Sequence, residues 1–528
     1  MAAVATDTEP CSEVGSNILR YQNGTAVDAA IATLLCIGVV SPHSSGIGGG
    51  AFFLIYDDDT RSAEAIDARE VAPEAANVTM YVNAPDLSLT GGLAVAVPGE
   101  LKGMEAAHKN YGRLPWKDLF LPAIQYARNG ARISPNMAHA ISISREEILK
   151  DPGMTTLLSR KDGHLLVQDD IVRNAPLAST LEAIASQGVD AFYCGAIAEK
   201  LVADINERGG HMTLDDLCRY RVKHKEPLAS QYRGHVVLGV PPPAGGAVLA
   251  QMLNIVDGFP ESDETRFSSG YHELVEAAKF AYSQRLKLGD PDYYKRVEKV
   301  MKTMLNAKIA DKMRARINPN RTYSRGHYRV RQYSTFDHGT THVSILAPNG
   351  DAVAVTSTIN YYFGAKMRSP QTGILLNNQM DDFSTPGHSN VYNLAPAQSN
   401  FIHPGKRPQS SMTPTIILDR QNNTKMVIGA SGGSRITTGV AQVIRDVLGY
   451  KDSVGKAINR PRCHHQMLPN KVFVESSFPL EGYLALQKRR HRVSVSKITS
   501  IVQAILQHQD DKISAASDPR KGGKPHGF

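Results

Sequence analysis

The chain has 528 residues, long enough for one large core or two smaller ones. Hydrophobic residues make up 42% and charged residues 21%, an ordinary composition for a soluble globular protein. The net charge of +8 is mild over this length; its clearest clusters, Lys488-Arg489-Arg490-His491-Arg492 and Arg520-Lys521, carry no interleaved aromatics, so a solvated face is expected and no nucleic-acid partner.

The first ten residues, Met1 to Pro10, carry no signal-peptide core. Val27, Ile31, Leu34 and Leu35 recur at helical spacing, predicting a buried-face helix over 25–40. Its longest apolar run, Ala29 to Val40, is 12 residues, against about 20 for a bilayer crossing. The chain is therefore read as cytosolic or as lacking its leader or anchor. A glycine-rich turn follows, Ser44-Ser45-Gly46-Ile47-Gly48-Gly49-Gly50, and Ala51 to Tyr56 reads as a strand. Residues 98–220 and 268–315 look mainly helical. From Arg321 to His338 a polar stretch rich in Tyr and Arg reads as an exposed loop.

A hairpin is predicted next. Val343, Ile345 and Ala347 alternate with His342, Ser344 and Leu346; Pro348-Asn349-Gly350-Asp351 is the turn, and Val353, Val355 and Ser357 lie on the return strand. Lys425 to Ala430 reads as a strand, Ser431-Gly432-Gly433-Ser434 as a tight loop, and Ile436, Val440, Val443, Ile444 and Val447 as a helix face. No repeat or low-complexity linker appears, so one composite unit of helices and antiparallel strands is expected.

The five cysteines, Cys11, Cys36, Cys194, Cys218 and Cys463, are odd in number and sparse, which argues against a disulfide framework. Cys463-His464-His465 is too tightly spaced for one metal site and has no partner cluster, so no metal is expected. Asn-x-Ser/Thr sequons at Asn23, Asn77, Asn320 and Asn422 favour secretion only weakly.

The chemistry centres on Asp337-His338-Gly339-Thr340-Thr341-His342-Val343-Ser344. Alone, a Gly-Thr pair here is an ordinary strand entry, since Thr favours strands. The surroundings are more specific. Thr356-Ser357-Thr358-Ile359-Asn360, Phe363-Gly364, Arg368-Ser369-Pro370 and the run Gly373 to Phe383 follow in order. Asp67-Ala68-Arg69-Glu70-Val71-Ala72-Pro73, Val97-Pro98-Gly99-Glu100 and Gly112-Arg113-Leu114-Pro115-Trp116 precede them. Pro408-Gln409-Ser410-Ser411-Met412-Thr413-Pro414, Gly429-Ala430-Ser431-Gly432-Gly433-Ser434 and Ala515 to Gly523 come later. Together they resemble the γ-glutamyltransferase (γ-glutamyltranspeptidase, glutathione hydrolase) family from about Cys11 to Phe528.

The resemblance implies an α+β fold: a four-layer α-β-β-α sandwich of the N-terminal-nucleophile hydrolase type. It implies a zymogen that cuts itself between Gly339 and Thr340 into a large subunit, 1–339, and a small subunit, 340–528, which stay associated. Thr340 would be the nucleophile, with its freed α-amine as base. Such amines have an unperturbed pKa near 8, so a useful fraction is neutral around pH 7–8. Thr358 would orient Thr340, and Gly432 and Gly433 would form the oxyanion hole. Arg69, Ser410 and Ser411 would clamp the donor's α-carboxylate; Asn360, Gln379 and Asp382 would grip its α-ammonium. The implied reaction cleaves the γ-glutamyl amide of glutathione and passes the group to water, an amino acid or a dipeptide, without metal or cofactor. A Cys11–Cys36 disulfide and an extracellular or outer-surface location are implied as well.

The departures are His338 and Thr341, either of which is expected to slow self-cleavage, and Gln379 where some members carry Glu. Lys521 is expected near the site without an assigned role. Rival readings are another γ-glutamyl donor such as a glutathione conjugate, an uncleaved inactive homologue acting as a surface-interaction protein, and a nucleotide binder using a glycine loop. The last lacks the Gly-Lys-Ser/Thr that would complete a phosphate loop.

Overall fold

The computed structural model describes residues 1–330, 332–333, 339–387, 395–496, 500–510 and 512–528. His338 lies outside the described residues. In chain order the layer-forming elements are β1 (Ala3–Thr6), α1 (Glu9–Tyr21), α2 (Ala26–Val40), β2 (Gly50–Asp57), β3 (Ser62–Ala68), α3 (Glu100–Tyr111), β4 (Lys223–Lys225), β5 (Leu228–Tyr232) and β6 (His235–Gly239). There follow α4 (Gly246–Val256), α5 (Tyr271–Arg285), β7 (Thr341–Leu346), β8 (Ala352–Thr358), β9 (Thr415–Leu418), β10 (Thr424–Ser431), α6 (Ile436–Ile444), β11 (Ile501–Gln507), β12 (Ile513–Ser517) and β13 (His526–Gly527).

Two sheets are stacked. One is seven-stranded, in the order β13-β1-β7-β8-β2-β3-β4, and the other six-stranded, β12-β11-β10-β9-β6-β5. The expected hairpin is present: Thr341 pairs with Ser357 and Leu346 with Ala352. Because successive strand residues point to opposite faces, the first sheet serves two cores. Phe53, Ile55, Val343, Ile345, Val353 and Val355 pack with α1, α2 and α3. Phe52, Leu54, Tyr56, Leu346 and Ala354 pack instead with Ile416, Val427 and Ile428 of the second sheet, and with α4, α5 and α6. Helices, sheet, sheet and helices thus form the four layers expected.

Local chemistry explains two of the motifs. A reciprocal capping box between Thr25 and Asp28 starts α2. The Asp28 carboxylate also accepts the Arg113 and Leu114 amides, at 3.1–3.2 Å, which fixes the Gly112–Trp116 segment against the helix. The glycine-rich turn before β2 spends its carbonyls on protein donors: Gly48 O takes Asn377 Nδ2 at 2.8 Å, and Gly49 O takes the Gly99 and Glu100 amides. It is a packing junction between chain segments.

The Cys11–Cys36 disulfide implied by the resemblance is present, and a second pair corrects the reading that sparse cysteines form no further bridges. Cys11 bonds Cys36 and Cys194 bonds Cys218, leaving Cys463 free and buried. Cys11 and Cys36 lie on α1 and α2, and Cys194, just past a short helix, reaches Cys218 at the end of another; the partners are 25 and 24 residues apart, so only the tertiary fold brings them together. His464 and His465 are engaged by Thr438, Gln466 and Asn470, as packed core histidines are. No helix of the described residues is long and apolar enough to cross a membrane.

Candidate active site

Thr340 stands at the entry to β7, beside the end of the antiparallel strand β8, and this brings Thr358 to it. The Thr340 hydroxyl donates to Thr358 Oγ1 at 3.2 Å, across 18 residues of chain. Thr358 Oγ1 is itself held by the Asn360 amide at 2.8 Å. Gly339 is required sterically: its φ is +98°, and a Cβ there would lie 1.9 Å from the Asn360 carbonyl oxygen. Thr340 has φ +112°, an outlier for a β-branched residue. Thr358→Val, nearly isosteric, is expected to leave the fold intact and lower kcat by about 10–100-fold, read by steady-state kinetics beside a thermal melt.

Gly339, Thr340 and Gly432 line one cavity of about 1020 Å³, with Tyr361, Tyr362 and Lys521 also on its wall. Gly432, at φ +120°, follows the last residue of β10, and the turn Gly433–Arg435 leads into α6. Backbone N–H groups gather at such a strand-to-helix turn, where the helix dipole favours negative charge.

The six head-group residues are buried, and none lines that cavity. A chain of contacts ties them to Thr340. Asn360, anchored on Thr358, donates through Nδ2 to the Asn378 carbonyl at 3.0 Å. Gln379 Nε2 donates to Asp382 Oδ2 at 2.6 Å, and Arg69 Nη2 pairs with the same oxygen. Asn400 joins the next loop, donating to Asp382 O and accepting from the Gln409 amide. Ser410 Oγ accepts the Met412 amide, and Ser411 Oγ accepts Arg285 Nη2 at 2.9 Å.

One feature differs from expectation. Arg69 and Asp382, expected at opposite ends of the donor, bind each other. A buried charge needs a partner; Arg69 has Asp382 and, at 3.5 Å, Glu70. Asn360 Oδ1 and Gln379 Oε1 are buried acceptors without a partner, as an ammonium would require.

Sequence reasoning missed Arg285, the last residue of α5, which only the fold brings to Ser411. It also missed Asp7, whose carboxylate accepts the Thr341 hydroxyl at 2.6 Å and pairs with Lys521. The Thr341 side chain is therefore turned onto Asp7.

Two buried carboxyls lie beneath the site. Burial pushes Glu70 up to about 7 and Glu100 up to about 8; Glu100 accepts the Ser357 hydroxyl at 2.9 Å. Both values exceed the ordinary 4.5, so between 4.5 and about 8 the folded chain binds more protons than the unfolded one. Stability from these groups is fully present below that window, falls as pH rises through it, and is level above. Glu100→Gln is expected to flatten this decline in thermal melts recorded against pH.

The comparisons with known proteins agree with this architecture. Residues 11–528 match the sequence profile of the family described as Gamma-glutamyltranspeptidase. The chain is 43% identical to "Scoloptoxin SSD14" of Scolopendra dehaani, over 100% of this chain and 92% of that protein. It is 42% identical to "Glutathione hydrolase 2" of Arabidopsis thaliana, over 100% and 93%. A cephalosporin acylase structure from Bacillus halodurans superposes with a TM-score of 0.88 at 26% identity, covering 100% of this chain and 96% of that one. The layered fold with a threonine at the head of a central strand is that of the N-terminal-nucleophile hydrolases. Within that class, the chain belongs to the γ-glutamyltranspeptidase family.

Proposed function

We propose that this protein is a self-cleaving γ-glutamyltransferase and glutathione hydrolase with Thr340 as nucleophile. The observation that carries the reading is the Thr340 hydroxyl, paired with Thr358 and sharing a cavity with Gly432. In the precursor the hydroxyl attacks the Gly339 carbonyl, and hydrolysis of the resulting ester leaves fragments 1–339 and 340–528. The freed α-amine then takes the hydroxyl proton, directly or through one water, as Thr340 attacks the donor's γ-carbonyl. Gly432 and Gly433 N–H groups stabilise the oxyanion, a contribution worth about 3–4 kcal/mol per donor in comparable sites.

Arg69, Ser410 and Ser411 hold the α-carboxylate of the donor; Asn360, Gln379 and Asp382 hold its α-ammonium. Fixing both ends leaves the γ-carbonyl to reach Thr340. Glutathione gives Cys-Gly and a γ-glutamyl-threonine ester, which water, an amino acid or a dipeptide resolves. No step as written calls on a metal or cofactor. An extracellular or outer-surface setting suits the two disulfides and the exposed side chains of Asn23, Asn77, Asn320 and Asn422, which we propose as glycan acceptors.

The test is intact-mass analysis and N-terminal sequencing of purified protein, followed by assay of glutamate and Cys-Gly release from glutathione. A new N-terminus at Thr340 with turnover supports the reading. A chain that stays whole and inert overturns it and favours the surface-interaction homologue.

A further inference from the structure

Behind Thr340 stands a charged arrangement drawn from both ends of the chain. Lys521 Nζ donates to the Thr340 carbonyl oxygen at 2.9 Å and to Asp7 Oδ2, while Asp7 Oδ1 accepts the Thr341 hydroxyl at 2.6 Å. Asp7 follows β1, whose Thr6 pairs with Val343, so its carboxylate arrives beside the first residues of β7. Lys521 lies just before β13, which pairs with the other edge of β1. Asp7 is 4% exposed and Lys521 9%.

We infer that Asp7, Lys521 and Thr341 form a positioning clamp on the first peptide of the nucleophile, holding the Thr340 α-amine in place and keeping it unprotonated at working pH. The inference rests on the reading that a cut at Gly339–Thr340 frees that amine. Once the cut is made, Thr340 has no covalent anchor on its amino side; its carbonyl, its hydroxyl and the next residue must hold it.

The electrostatics follow from the contact. An ammonium 2.9 Å from the Thr340 carbonyl oxygen is within about 6 Å of the same residue's nitrogen by covalent geometry. A like charge at that range disfavours protonating the amine. Asp7 offsets part of the effect and fixes the ammonium; the Thr341 hydroxyl fixes Asp7. This hydroxyl–carboxylate contact at 2.6 Å pins the Asp7 carboxylate. It turns a residue expected to hinder the nucleophile into one that braces it.

Other charges face the same space. Arg520 lines the cavity but is paired with Glu475 and Asp518, at 2.6 and 3.0 Å. His139, Glu147 and Lys366 also line it, burial lowering Lys366 to about 8. His43 is held down to about 3, first by burial and then by Lys521, and is neutral across the working range. Lys521 is the cation bonded to Thr340 itself.

The test is the pH profile of kcat/KM for cleaved enzyme with a γ-glutamyl anilide, comparing Lys521→Gln, Asp7→Asn and Thr341→Val. Lys521→Gln should move the acid limb up by about one pH unit, a roughly tenfold loss on the limb. Asp7→Asn should move it down, because the ammonium is no longer neutralised. Thr341→Val should leave the limb in place and lower kcat several-fold. A packing role alone would lower the plateau in both charge variants without opposite shifts. Unmoved limbs in both, with wild type cut and active, would overturn the clamp; a wild type that stays whole overturns the nucleophile reading instead. Should Lys521→Gln fail to mature, Lys521→Arg serves: it keeps the charge and should keep the limb, and a displaced limb would overturn the clamp.

Discussion

Thr340→Ala is expected to leave the chain in one piece and without γ-glutamyl hydrolase activity. Wild type run beside it on a denaturing gel should give two bands, from 1–339 and 340–528, which intact mass would assign. Removal of a nucleophile in acyl-transfer enzymes lowers kcat on the order of 10⁴–10⁶-fold, and here the effect is compounded because the base is never released. Thr340→Ser keeps the hydroxyl and should still be cut. Geometry adds a driving force for the cut. Thr340 holds φ at +112°, a conformation that costs a β-branched residue about 1–3 kcal/mol. Breaking the Gly339–Thr340 bond abolishes that torsion and releases the strain.

Asp382→Asn is expected to lower kcat/KM for γ-glutamyl donors by about 10²–10³-fold, chiefly by raising KM. On the proposed reading the carboxylate has two roles: it pairs with buried Arg69, and it would take the substrate ammonium. Removing one member of a buried pair costs about 3–5 kcal/mol, most of it the penalty on the charge left behind. The ammonium is present in ground state and transition state alike, so the loss falls on binding more than on kcat. By the same argument a donor with a glutaryl in place of the γ-glutamyl group leaves Asp382 without a cation, and wild type should discriminate against it by a similar factor. Steady-state kinetics with the two donors and the two enzymes form a complete cycle. A glutaryl donor turned over as readily as its γ-glutamyl counterpart would remove the head-group assignment.

The helices, the hairpin and the tight glycine loop could be read from periodicity and turn chemistry, because these are local properties. The strand after Thr340 shows what local reading cannot reach. His342 and Ser344 alternate with apolar residues as if they faced water, yet both are buried, because a second sheet covers that side. His342 instead bonds Thr356 and Ser344. The layered sandwich came from resemblance, since no alternation pattern announces a second sheet. Of the proposed site, Thr340, Thr358 and the six proposed head-group residues are legible as motif positions. The Arg69–Asp382 pair was not, because it joins segments 313 residues apart whose charges look self-sufficient in sequence. Asp7 and Lys521 are more distant still, 514 residues apart, and neither lies in a pattern that points to the other. Cys194 and Cys218 fail for the same reason: pairing is a property of folded helices.

The order of strands in the first sheet has a further consequence. Segments from before and after the Gly339–Thr340 junction alternate across it: β13, then β1, then β7 and β8, then β2, β3 and β4. A nick at that junction therefore yields two polypeptides woven into one sheet. Their separation requires stripping backbone ladders from both sides of β1 and unfolding the core they enclose. Mass action then has little purchase. Dilution to concentrations at which ordinary subunits part should leave the two fragments together, and activity per molecule should not depend on protein concentration. For the same reason, fragments expressed apart are expected to lack a surface on which to dock, since neither half owns a complete sheet.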